Sequence, residues 1–166
     1  MRGLTVLTTV LTAMLAALLL TAAPAAAAPA ATVQVQGLEY AATVTEGRFG
    51  GAARGAMPGV WRAVVVHDPL RRGEAVPVTG GSFTLHGARN VLAGSFTSGR
   101  VTPYDEPAGC GDERFDVTGA LALQGGGRGS FAVVLTHLRV LTDSGCRTYG
   151  ATVPGTVTVP ARAVLA

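Results

Sequence analysis

Residues 114–123 alternate in character. Phe115, Val117, Gly119, Leu121 and Leu123 hold one parity, and Arg114, Asp116, Thr118, Ala120 and Ala122 hold the other. A period of two puts the first set on one side of a β-strand and the second on the opposite side. After residue 30 no stretch sustains the helical period, because Gly and Pro interrupt nearly every window while Val, Thr and Phe fill the intervals. Strands are therefore expected at Thr32–Thr45, Val60–His67, Ala75–His86, Asn90–Thr102, Arg114–Leu123, Ser130–Leu141 and Arg147–Val159. The segments GRFGGAARGAMPG, DPLRRGE, HGARN, PYDEPAGCGDE, QGGGRG and TDSG between them read as turns or loops.

The short links QGGGRGS and HGARN each predict a hairpin, since Gly reaches the positive φ that tight connections need. Adjacent hairpins make an antiparallel meander. The fold class is all-β, a small antiparallel β-barrel or β-sandwich of about seven to eight strands. Two runs, Ala63–Val66 and Phe131–Leu138, are apolar on both parities. Such strands are expected to be covered on both faces, by a second sheet, a loop or another subunit. The triplet GSF recurs at Gly81, Gly94 and Gly129 at unequal intervals, which reads as a way of entering strands, with an old duplication of a hairpin as the other reading.

The first thirty residues have a different pattern. One positive charge at Arg2, an apolar run around Leu11–Leu20 and an Ala-rich zone follow in the order of a secretory signal peptide, with small residues for cleavage near Ala28 or Ala30. The expected organisation is a signal peptide over 1–30 and a single all-β domain over 31–166. No later stretch approaches the length of a membrane span, so the mature chain is expected to be secreted without a transmembrane anchor.

Charge and cysteines narrow the chemistry. All thirteen basic residues are Arg, set against ten Asp plus Glu for a formal net charge of +3. The absence of Lys removes Walker, Schiff-base and lysine-base chemistries. The mild balance, with the arginines scattered along the chain, argues against nucleic acid. Cys110 and Cys146 are the only cysteines, and in an exported chain they are expected to pair.

Candidate sites are few. Asp105, Glu106, Asp112, Glu113 and Asp116 crowd around Cys110 and could ligate calcium, although their spacing is not that of an EF-hand; the other reading is a solvated loop pinned by the disulfide. A glycosidase carboxylate pair in this group would lack the aromatic platforms that sugar sites present. His67 and His86 end apolar runs beside turns, where a polar residue is ordinary. His137 lies inside a strand on the face of Phe131, Val133 and Leu135, as a general base or as a hydrogen-bonded buried imidazole. An Arg62 or His137 held in a barrel interior would need a carboxylate partner, for which Glu39 is the first candidate.

No nucleophile, metal or cofactor motif is present. The expected function is a secreted, disulfide-stabilised β-domain with a non-catalytic binding or structural role outside the cell. The alternative is a small barrel that binds or isomerises a small apolar ligand in its interior, with His137, Arg62 and Glu39 as the residues to carry it. Self-association through the doubly apolar strands is the other route to a partner.

Overall fold

The structure is a computed structural model that describes residues 29–104 and 109–165. The expected signal peptide, up to residue 28, and the calcium candidates Asp105 and Glu106 lie outside the described residues. Eight strands follow in order: β1 (Ala30–Ala42), β2 (Glu46–Gly55), β3 (Gly59–His67), β4 (Val76–Gly87), β5 (Val91–Pro103), β6 (Glu113–Leu123), β7 (Arg128–Thr142) and β8 (Gly145–Pro160), with a one-turn helix α1 (Arg162–Leu165) after them. Each strand pairs antiparallel with its chain neighbours. β1 also pairs with β8 from Ala30–Pro160 to Gly37–Val153, which closes the sheet. The choice between sandwich and barrel thus resolves to an up-and-down barrel of eight strands.

One strand was hidden in the sequence. β2 occupies most of the Gly-rich segment that reads as a turn, and its inward residues are Gly47, Phe49, Gly51 and Ala53. Glycine at 51 is a packing requirement, because a Cβ there would run into the Gln36 carbonyl of β1. Backbone approach of this kind is one of the uses of Gly in a strand interior.

Alternation fills the barrel. Trp61, Phe83, Phe96 and Phe131 meet at mid-height, with centroid separations of 6.1 Å for Trp61–Phe131, 6.1 Å for Phe83–Phe131 and 5.3 Å for the edge-on Phe96–Phe131 pair. The Trp61 indole N–H donates to the Gln36 carbonyl at 3.2 Å, which satisfies its one polar atom. Glycines apart, the fully buried described residues are apolar except His67.

Of the covers expected for the doubly apolar strands, neither a second sheet nor a loop lies over them among the described residues of this chain. Ala132 is exposed, and Val64, Val66 and Val134 on the outer wall are half-buried. Closure gives the sheet a single interior.

The two ends differ. The base carries the β2–β3, β4–β5 and β6–β7 turns and is closed by α1, whose Val164 carbonyl accepts from Asn90 Nδ2 at 3.2 Å. Ala161, Ala163 and Val164 pack against the core there. The mouth carries the other connections, and at this end β7 and β8 run on past the last β1–β8 pair as a two-stranded ribbon. Cys146 in the ribbon is bonded to Cys110 of the β5–β6 connection, with Cα atoms 5.6 Å apart.

Candidate functional site

Inside the mouth lies a pocket of about 90 Å³. Its walls are mainly apolar, with Phe49, Val65, Leu70, Val101, Phe115 and Leu135 among them, and its polar residues are Glu39, Thr43, Glu46, His67 and His137. Alternation aims the key residues inward: Glu39 follows Val33, Val35 and Gly37 on β1, His67 follows Trp61, Ala63 and Val65 on β3, and His137 follows Phe131, Val133 and Leu135 on β7.

A register shift accompanies each of them, at Glu39/Ala41, Val66/His67 and Leu138/Arg139. Bulges bend and twist a strand and re-aim its side chains, and they collect at barrel rims. Here they end the regular inward alternation at the level of the pocket.

Glu39 and His137 belong to strands separated by β8, yet Nε2 of His137 lies 2.7 Å from Oε2 of Glu39. The contact passes over Ala151, the β8 residue paired with His137, whose methyl leaves room between them. A carboxylate oxygen accepts, so Nε2 carries a proton. On the other side of the ring, Nδ1 is 3.8 Å from Oε2 of Glu113, whose Oε1 accepts from Arg139 Nη1 at 2.6 Å. Phe115 meets the imidazole edge-on at 5.5 Å. Glu39, His137, Glu113 and Arg139 thus form a chain across the rim whose charges alternate when His137 is protonated.

The hydrogen bond to Glu39 is the main reason that the His137 imidazole is held above its ordinary value of 6.5; burial opposes the shift, and the charges of Glu39 and Glu113 add to it. A folded-state value above the unfolded one stabilises the barrel fully below the unfolded value and loses that contribution as pH rises through the folded value. The melting-temperature advantage of wild type over His137→Gln is therefore expected to be larger at about pH 5.5 than at about pH 8.5. Thermal melts of both proteins across this range check it, and a constant difference would show that the pair does not titrate between these limits.

His67 is built differently. Its Nδ1 lies 2.7 Å from the Asp68 carbonyl, which can only accept, so in the neutral ring Nδ1 carries the proton and Nε2 is an acceptor. Oε1 of Glu39 lies over Gly47, where a Cβ would come within 2.8 Å of it. The missing side chain at Gly47 thus gives the carboxylate its place in the pocket.

The other sequence candidates fall elsewhere. Arg62 points out of the barrel, on the outer wall beside Tyr40 and Val60, and has no part in the mouth. This corrects its grouping with His137 and Glu39: it has the parity opposite to buried Trp61, and the barrel has one interior. The described calcium candidates have separate partners. Asp112 accepts from the Arg139 backbone N–H at 3.1 Å, Glu113 from Arg139, and Asp116 from the Tyr104 hydroxyl at 3.1 Å. Among the described residues no three His, Cys, Asp or Glu side chains converge as a metal site. His67 reads in sequence as an ordinary strand-end residue, although its shared parity with Trp61 and Val65 points it inward. The chain matches no protein-family model, and no curated protein or solved structure matches it.

Proposed function

We propose that this chain is an exported, disulfide-stabilised barrel that binds, without catalysis, a small molecule in its mouth. The observation behind this reading is the Glu39–His137 pair in a mainly apolar pocket, with the Glu39 side chain only 9% exposed. Removing a carboxylate from water is costly, and a buried ion pair is weak evidence for stability compared with the apolar residues that fill the rest of the interior. A polar pair kept in an unfilled pocket of the barrel mouth fits a ligand better than it fits the needs of the fold.

The donor inventory narrows the ligand class. Glu39 retains acceptor capacity beyond its bond to His137, and Nε2 of neutral His67 accepts as well. The complementary ligand offers a hydrogen-bond donor, a hydroxyl or an amine, on a compact apolar skeleton. The volume suits a short branched chain, or a single ring inserted only in part from the mouth, and is well below the roughly 300 Å³ at which drug-sized pockets begin.

Saturation-transfer NMR with phenol, benzylamine and toluene tests this. The donor-bearing probes are expected to bind and toluene to bind at least about ten-fold more weakly, and Glu39→Gln should remove most of that preference, since a hydrogen bond to a charged group contributes about 1.5–3 kcal/mol. Equal binding of toluene, or binding that Glu39→Gln leaves unchanged, would refute the reading. Native mass spectrometry of protein purified from its own cells without reductant then identifies a retained ligand by the mass lost on denaturation.

A further inference from the structure

The arginines that look scattered along the chain are sorted by the barrel. An up-and-down meander sends alternate connections to opposite ends, so residues separated by two strands in sequence become neighbours at one end. Arg54 near the end of β2, Arg89 in the β4–β5 turn, Arg128 at the start of β7 and Arg162 in α1 all reach the base, and all are exposed. Arg128 and Arg162 flank one turn, for Nη2 of Arg162 lies 3.9 Å from where a Cβ on Gly127 would sit.

Among the described residues no carboxylate side chain lies at this end. Every described Asp and Glu lies on a mouth-side connection or in the mouth-side half of a strand, from Glu39 and Glu46 to Asp116 and Asp143. The ion pairs among described residues, Arg48–Glu46, Arg71–Glu74, Arg139–Glu113 and those of His137, include none of the four base arginines. Three large apolar side chains stand exposed at this same end, Leu165 at 82%, Val91 at 60% and Val60 at 57%.

We propose that the base is a docking face for a membrane surface bearing anionic lipid headgroups. Arginine stays charged and its planar fork matches phosphate bidentately. A cationic surface alone would serve any polyanion. Exposed Leu165 and Val91 favour the lipid, because apolar side chains gain by entering the headgroup boundary and gain little against a hydrated polymer in solution. The inference is independent of the mouth pocket, which lies at the opposite end.

Vesicle flotation of the full chain decides it, with phosphatidylcholine alone against equimolar phosphatidylcholine and phosphatidylglycerol. Any apolar contribution from residues 1–28 is common to wild type and variants, so the difference between vesicles reports the base. Each near-surface arginine strengthens partitioning by about five-fold. Wild type is expected to prefer the anionic vesicles by at least about ten-fold at about 50 mM salt and to lose the preference at about 500 mM. The triple variant Arg89→Glu, Arg128→Glu, Arg162→Glu should lose it at low salt with little change in melting temperature. A charge-matched variant of exposed arginines away from the base, Arg100→Glu, Arg114→Glu, Arg147→Glu, should keep it. Equal partitioning of wild type to both vesicles, or equal loss in both triple variants, overturns the proposal. Inorganic polyphosphate bound as tightly as the anionic vesicles overturns the lipid assignment in favour of a soluble polyanion.

Discussion

Phe131→Ala is expected to destabilise the barrel by about 3–5 kcal/mol, the largest effect of any single truncation proposed for this chain. Phe131 is 1% exposed and is the one ring that touches Trp61, Phe83 and Phe96 together. Its removal forfeits the transfer free energy of the ring and leaves a cavity whose aromatic walls belong to three other strands, β3, β4 and β5. Hydrogen bonds tie those strands into a closed sheet, so they can collapse inward only a little and the cavity persists. Equilibrium denaturation in guanidinium measures the loss, with Ser130→Ala, an outward neighbour on the same strand, as the control expected to stay within about 0.5 kcal/mol. A loss below about 1 kcal/mol at Phe131 would mean that the aromatic cluster does not carry the core.

The second large effect is expected at the disulfide. The double variant Cys110→Ser, Cys146→Ser should lose up to about 4 kcal/mol on the chain-entropy account, since the bond closes a loop with a sequence separation of 36. The loss should also be local in its dynamics. Cys110 belongs to the β5–β6 connection and Cys146 to the ribbon beyond the mouth, so the bond braces the rim and leaves the aromatic centre untouched. Amide exchange is therefore expected to quicken most in Leu138–Thr142 and Gly145–Gly150, beyond the acceleration that the loss of global stability gives the core amides of β3 and β4. Uniform acceleration across all strands would show instead that the bond stabilises the whole barrel through its unfolded state alone.

Much of the architecture was legible because it depends on period and punctuation. Strict alternation in β6 marked Phe115, Val117, Leu121 and Leu123 as inward, and the structure has them so. The Gly-rich link before β7 marked a hairpin, and β6 and β7 pair from Glu113–His137 to Ala122–Arg128. The β2 strand was illegible for a physical reason. Gly means a turn when the chain needs positive φ and means close approach when another backbone lies against it, and the local sequence around Gly51 is the same in both cases. Outer-wall valines misled in a similar way, since Val64 and Val134 look like core residues until closure shows which side is inside.

The site was legible in part. Parity placed His137 on the core face and solvation physics asked for a carboxylate, with Glu39 as the first candidate; these two residues meet across β8. Sequence could not show that the bulges at Glu39, His67 and His137 lie at one level, because level depends on the stagger of three non-adjacent strands. The gathering of arginines at the base was hidden for a related reason: proximity there is set by which connection a residue falls on, and distance along the chain says nothing of it.

The β1–β8 seam also bears on the order in which the chain folds. Seven of the eight strand pairings join neighbours in sequence and can form as hairpins while the chain is still being made. The eighth joins the first strand to the last, so closing it requires a loop of nearly the whole domain, the costly kind of contact that slows folding. Until Val153–Pro160 arrives to meet β1, the nascent sheet has two open edges able to recruit strands from other copies. Risk of misassembly is thus concentrated in the interval before the last strand is delivered, and substitutions within Val153–Pro160 should affect the yield of folded protein more than their effect on the finished barrel would indicate.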